Sequence, residues 1–211
     1  MKYNSKLREL SIENKTLNFL DKFMLDFAKT IKKHSGYVIV SGYVSILLGR
    51  SRASEDIDLL IPKMNITDFK LLFEDLLKNG FECLNTSIAD EAYEMWHEHA
   101  IRFAKSMMAV PNIEFKIIDK DIQENAFKNR VKVVLGKDIL YISSLELQIP
   151  YKLSLMSDSD IQDISSDKDF EDAKHLYNYF KEDLDMEKLL YFVKLLNVEK
   201  KFEFLEKWKK I

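Results

Sequence analysis

Hydrophobic residues follow two different patterns along the chain, and the pattern changes near residue 143. Before that point, short apolar runs of strand length alternate with segments in which apolar residues recur at helical spacing. The predicted strands are 37–40, 56–61, 81–84, 100–104, 112–119, 131–134 and 139–141, and the predicted helices between them are 14–33, 43–48 and 67–78. The segment 87–97 is polar with scattered aromatic residues and is read as a loop or a short helix.

After residue 143 the helical period continues to the end of the chain. A helix is predicted from Ser143 or Ser144 to about Leu155, followed by an acidic loop over 157–166 and by helices over 167–180, 186–196 and 200–210. We therefore expect an α/β (α+β) domain with a mixed sheet and flanking helices at 1–142, followed by a C-terminal helical bundle at 143–211.

Composition narrows the class of protein. The chain has 211 residues, with 32 Lys and Arg against 35 Asp and Glu, and this near balance argues against a constitutive nucleic-acid coat. Its single cysteine, Cys83, excludes an internal disulfide and a zinc site built from cysteines. No window has the apolar length of a signal peptide or a membrane span, so we expect a cytoplasmic protein that does not enter the membrane.

The segment from Val40 to Ile61 carries the clearest chemical signal. It begins with Ser41-Gly42 between a predicted strand and a predicted helix, where a small residue lets a phosphate approach the backbone. It ends in Asp56-Ile57-Asp58, and alternation along a strand places the two carboxylates on one face, roughly 7 Å apart. Such a pair is costly unless a cation lies between the acids, and two Mg²⁺ ions bridging a nucleoside triphosphate match this spacing. The alternative is an edge strand with solvated acids.

This arrangement resembles the signature of the DNA polymerase β-like nucleotidyltransferase superfamily, although the usual first residue is Gly where this chain has Ser41. The stretch Arg52-Ala-Ser-Glu-Asp-Ile-Asp58 looks most like the nucleotidyltransferase toxins of toxin–antitoxin and abortive-infection systems (AbiEii-like proteins). The resemblance implies that Ser41, Gly42 and Arg52 bind the nucleotide, while the Asp pair is catalytic and holds the metal.

A third carboxylate on a neighbouring strand is implied by the same resemblance. Glu114 lies in the predicted strand 112–119 and is the candidate for both catalysis and metal binding, with Asp119 and Asp121 as alternatives at the strand end.

A second, weaker match lies in the helical half. Lys152, followed by the 166–176 segment with Asp169, resembles a Lys and Asp pattern in these toxins. By resemblance Lys152 would reach the triphosphate, and Asp169 would position either Lys152 or a metal-bound water. The competing reading is that Asp169 and Asp172 only stabilise the first turn of a helix.

The resemblance implies an enzyme that uses Mg²⁺ or Mn²⁺ to transfer a nucleoside monophosphate from an NTP to an acceptor hydroxyl. The expected acceptor is RNA, such as tRNA, or protein, and an antitoxin would be a partner protein. The alternatives are a degenerate module of the same fold that binds a nucleotide or a partner, and a small-molecule nucleotidyltransferase of the aminoglycoside type.

Overall fold

The computed structural model of the protein describes residues 1–156 and 167–208. The predicted acidic loop at 157–166 and the last residues of the predicted C-terminal helix lie outside the described residues.

Nine strands and nine helices are found within the described residues. The strands are β1 (Lys2–Asn4), β2 (Glu9–Ile12), β3 (Val38–Val40), β4 (Asp56–Ile61), β5 (Phe81–Cys83), β6 (Ile101–Lys105), β7 (Asn112–Ile117), β8 (Val131–Leu135) and β9 (Asp138–Ile142). The helices are α1 (Phe19–Ile31), α2 (Gly42–Leu47), α3 (Ile66–Lys78), α4 (Ala89–Glu98), α5 (Asp121–Lys128), α6 (Leu145–Leu155), α7 (Lys168–Phe180), α8 (Met186–Leu195) and α9 (Glu199–Lys207). In this part of the chain, no helix has the length and apolar character needed to cross a membrane.

The nine strands of the described chain form one mixed sheet in the order β1-β2-β8-β9-β3-β4-β7-β6-β5. At its centre β4 pairs antiparallel with β3 and parallel with β7, and β7 pairs antiparallel with β6. This confirms the predicted α/β class with a mixed sheet. The division into domains at residue 142 stays a prediction.

The two faces of the central strands have different surroundings. On one face, buried aromatic rings from α1, β5, β6 and β7 pack together, mostly edge to face; they include Phe27, Phe81, Phe103 and Phe115. On the other face a smaller apolar group covers only part of the sheet; it contains Val38, Leu60, Ala126, Leu147 and Phe192, from β3, β4, α5, α6 and α8. The remainder of that second face carries polar side chains. Residues two apart on one strand share a face, so polar residues at alternate positions of these strands lie together there.

Strand β4 has the bounds expected from the sequence, whereas β1, β2 and α5 were not expected. β1 and β2 have only three and four residues, too few for a period to show. α5 is polar, and Ala126 is its one buried residue. The helix therefore has no apolar stripe from which a helical period could be predicted. The start of α3 is capped by Asn65, whose side chain accepts a hydrogen bond from the Asp68 amide, so the helix begins one residue before the predicted range 67–78.

Candidate active site

Strand register brings two of the predicted acids side by side on neighbouring strands. β4 and β7 are parallel neighbours in which Asp58 is paired with Glu114, and Asp56 with Asn112. Asp56, Asp58 and Glu114, which we call the carboxylate centre, therefore lie on the same face of the sheet. The alternative acids lie elsewhere: Asp119 follows β7 and Asp121 begins α5.

Lys116 links two members of the carboxylate centre. Its Nζ donates to Asp58 Oδ1 at 2.6 Å and lies 2.7 Å from Glu114 Oε2. Lys116 is two residues after Glu114 on β7, so it shares the same face. The ammonium thus holds the two carboxylates around one positive charge.

Arg102 binds the other oxygen of Glu114. β6 pairs with β7 so that Arg102 is opposite Glu114, and its Nη2 donates to Glu114 Oε1 at 2.6 Å. The arginine is 53% exposed. Asp56 lies at the exposed end of β4, where its carboxylate accepts a hydrogen bond from Ser54 Oγ at 3.2 Å.

The two central acids have opposite pKa shifts. Burial raises the pKa of Asp58, against the attraction of Lys116, and the nearby charges of Glu114 and Asp56 raise it further. Burial also acts to raise the pKa of Glu114, but hydrogen bonds from Arg102 and Lys116 outweigh it and lower that pKa to about 2. For Lys116, burial acts to lower the pKa, and the two carboxylates raise it overall.

The turn from β3 into α2 places Ser41 beside this centre. Ser41 has a φ of 63°, unusual for a residue other than glycine and worth about 1–3 kcal/mol of backbone strain. Gln148 of α6 holds this strained peptide: its Nε2 donates to the Ser41 carbonyl at 2.8 Å, and its Oε1 accepts from the Ser41 amide at 3.3 Å. Helix α6 thereby fixes the backbone next to the acids.

Gly42 follows at the start of α2 and lies against Arg52. A Cβ at this glycine would overlap the Arg52 guanidinium, so the close approach of the two requires glycine. Arg52 in turn donates from Nε and Nη2 to the two carboxylate oxygens of Asp172 on α7, at 3.1 and 2.9 Å.

Lys152 and Asp169 belong to this second group of charges. Lys152 Nζ donates to Asp169 Oδ1 at 2.6 Å and lies 3.1 Å from Asp172 Oδ2. We call Arg52, Lys152, Asp169 and Asp172 the buried ion cluster, because Lys152 is only 2% exposed and Asp172 is fully buried. The predicted contact of Asp169 with Lys152 is present, whereas the ammonium of Lys152 is directed at two carboxylates. That Lys152 reaches a triphosphate stays a prediction.

A pocket of about 430 Å³ opens beside the carboxylate centre. Its polar lining comes from the side chains of Ser41, Asp58, Lys116, Lys120, Gln123, Ser143 and Gln148. Apolar side chains from β3, β4, α5 and α6 form the rest: Val40, Leu60, Ile122, Ala126 and Leu147, with Tyr151 beside them. A cavity that combines apolar side chains with converging polar groups is typical of a small-molecule site.

A second pocket, also of about 430 Å³, is lined by Lys116 as well. The two pockets share Lys116, Lys120 and Gln123. Lys63, Glu98 and Asp119 also line the second one.

The resemblance implies a divalent metal, and the chemistry of the donors allows one. Among the described residues, no three His, Cys, Asp or Glu side chains converge closely enough to hold a metal ion by themselves. Asp58 and Glu114 do converge on a single cation, the Lys116 ammonium. Mg²⁺ commonly takes one or two protein carboxylates and completes its shell with water and substrate phosphate oxygens. Two carboxylates and a nucleotide therefore suit this metal.

Lys116, Arg102 and Gln148 were not expected from the sequence. Lys116 alternates with Glu114 on one strand, and that spacing could have revealed it. Gln148 is a buried amide between Leu147 and Ile149 in an apolar stretch, which is a usable signal because a buried polar group needs a partner. Arg102 has no such signal, since only strand pairing brings it to Glu114.

Comparisons with known proteins bear on the fold. Neither a known family profile nor a curated protein matches the sequence. Among solved structures, the antibiotic-resistance factor ANT(2'')-Ia is similar with a TM-score of 0.52 and 12% identity over 88% of this chain and 94% of that one. An antigenic nucleotidyltransferase-like protein from Paracoccidioides brasiliensis is similar with a TM-score of 0.50 and 16% identity over 89% of this chain and 91% of that one. The chain therefore has a nucleotidyltransferase-like fold.

Proposed function

We propose that the protein is a metal-dependent nucleotidyltransferase that moves a nucleoside monophosphate from an NTP to an acceptor hydroxyl and releases pyrophosphate. The observation that carries this proposal is the convergence of Asp58 and Glu114 on one cation, at 2.6 and 2.7 Å, on the wall of a pocket beside a strained backbone turn. Backbone strain held by the surrounding structure is common at functional sites.

The pocket and the carboxylate centre would bind different parts of the substrate: the pocket the nucleoside, and the carboxylate centre the metal. The apolar wall formed by Val40, Leu60 and Leu147 has the chemistry to receive the base and sugar, with Ser41 and Gly42 near the phosphates. Asp58 and Glu114 would hold Mg²⁺ or Mn²⁺, with Asp56 at its outer side. When bound, such a metal supplies charge neutralisation at the transferring phosphate and the leaving pyrophosphate.

The chain's own residues orient these groups. Gln148 fixes the Ser41 peptide, and Arg102 fixes one oxygen of Glu114. The buried ion cluster anchors Arg52 against Gly42, so that the turn beside the pocket has a rigid support. Arg52, Lys152 and Asp169 would act on the nucleotide through this support.

The acceptor belongs to the same proposal. From the resemblance to the nucleotidyltransferase toxins we propose RNA, such as tRNA, or a protein as acceptor, in the cytoplasm, with an antitoxin as a partner. A small molecule is the alternative acceptor, and the structural similarity to an antibiotic-resistance factor fits that alternative.

A second candidate function is a nucleotide-binding module without catalysis. Lys116 favours it, because an ammonium already satisfies two of the proposed metal ligands.

Labelled NTPs, Mg²⁺ and a mixture of RNA, protein and small-molecule acceptors test these candidates. We expect label transfer that falls by about a hundredfold or more in Asp58→Asn, because this variant removes the charge that holds the metal. The matched control is Asp138→Asn, an acid at the start of β9. The labelled fraction identifies the acceptor class. Nucleotide binding without any transfer would contradict catalysis and support the module.

A further inference from the structure

The ammonium of Lys116 occupies a position that a metal would also need. It lies 2.6 Å from Asp58 Oδ1 and 2.7 Å from Glu114 Oε2, within hydrogen-bond distance of both. Mg²⁺ binds carboxylate oxygens at about 2.0–2.1 Å, so an ion held by the same two oxygens would lie beside the ammonium. Two cations this close repel strongly, and both cannot bind the pair at once.

We infer that Lys116 is an internal cation that occupies the site between Asp58 and Glu114 in the metal-free chain and must leave it before a divalent metal binds. This inference rests on the proposed function, since it concerns the same carboxylates. Lys116 is then a positioning residue: it keeps two like charges on neighbouring strands together while no metal is present.

The structure offers a path for the displaced ammonium. Lys116 is 35% exposed and lines both pockets, so its flexible stem can turn from the first pocket into the second. Glu98 and Asp119 line the second pocket and provide carboxylates for the ammonium to join. The displaced charge need not enter an apolar environment.

Arg102 does not compete in the same way. It binds Glu114 through Oε1, whereas Lys116 contacts Oε2. Arg102 can therefore keep holding the Glu114 carboxylate after Lys116 has left. Exchange of one cation for another at Asp58 and Glu114 then requires the movement of a single side chain.

A direct test measures the binding of Mn²⁺ to the nucleotide-free chain. The electron paramagnetic resonance signal of free Mn²⁺ reports how much of the ion is bound. We expect Lys116→Met to bind Mn²⁺ at least about tenfold more tightly than the unchanged protein, because the competing charge-assisted hydrogen bonds are gone. Lys116→Arg keeps a cation and is expected to bind as weakly as the unchanged protein. The matched control is Lys120→Met, which removes one positive charge from the wall of the same pocket.

Equal affinity in Lys116→Met and Lys120→Met would overturn the inference, because general charge would then explain any gain. Weaker Mn²⁺ binding in Lys116→Met would overturn it as well. Near-UV circular dichroism checks that each variant is folded.

The unchanged protein gives a second measurement that needs no substitution. Reductive methylation of Lys116, followed by mass spectrometry, is expected to rise several-fold when saturating Mn²⁺ is added without nucleotide. Unchanged labelling while Mn²⁺ is bound would overturn the inference. Neither measurement depends on nucleotidyl transfer, so failure of the proposed catalysis would be seen separately, in the labelled-NTP experiment.

Discussion

The carboxylate centre and the buried ion cluster both combine acids with Lys and Arg, yet they differ in their access to solvent. At the carboxylate centre, Lys116 and Arg102 are 35% and 53% exposed and a pocket opens beside them. In the buried ion cluster, Lys152 is 2% exposed and Asp172 is fully buried. The first group is open to solvent and to the pocket, whereas the members of the second mainly contact one another. This difference in exposure predicts ligand binding at the first group and structural support at the second.

The largest effect on stability is expected in the buried ion cluster. Asp172→Ala removes the fully buried carboxylate shared by Arg52 and Lys152, so Arg52 loses its ion pair and Lys152 keeps only Asp169. We expect the free energy of unfolding to fall by about 3–5 kcal/mol, measured by urea denaturation. Asp183→Ala, at an exposed position after α7, is the control and should change it by less than about 0.5 kcal/mol. A loss below about 1 kcal/mol for Asp172→Ala would remove the contrast between the two groups.

An intermediate effect is expected at Gln148, which connects α6 to the turn beside the carboxylate centre. Gln148→Leu leaves the amide and carbonyl of Ser41 without their partner, and we expect a loss of about 1–3 kcal/mol in urea denaturation. The control is Asn125→Leu, because among the described residues the Asn125 side chain bonds only to nearby ones, donating to the Asp121 carbonyl and accepting from Asn129. Equal losses in the two variants would show that Gln148 gives the turn no special support.

The smallest effect on stability is expected at Arg102. Because the guanidinium is largely exposed, Arg102→Gln should lower the free energy of unfolding by less than about 1 kcal/mol. The same change removes one of the two cations that depress the pKa of Glu114, so that pKa should rise from about 2 towards its ordinary value. A carboxylate pH titration followed by NMR measures this shift. A stability loss as large as that of Asp172→Ala would contradict the proposed difference between the groups.

The sequence revealed the parts of the site that lie close together along the chain. Asp56 and Asp58 stand two apart in one apolar strand, and Ser41-Gly42 marks a strand-to-helix turn, so local spacing was sufficient. The β4 strand has the predicted bounds for the same reason.

Contacts between distant segments could not be read in this way. The partners of Glu114 depend on which strand neighbours β7 and in what register, and no local pattern contains that information. Lys152 shows the same limit. The resemblance indicated a phosphate and Asp169 as its partners, but its second carboxylate, Asp172, follows from the packing of α6 against α7.

The parallel pairing of β4 with β7 has a consequence for how this chain can change over evolutionary time. Asp58 and Lys116 are separated by 58 positions, and the segments between their strands can lengthen or shorten without moving them. Loss of one residue inside β7 has a very different result, because it would turn Glu114 and Lys116 to the aromatic side and bring Phe115 to the pocket side. Related chains should therefore show many gaps in the connecting loops and none within these two strands.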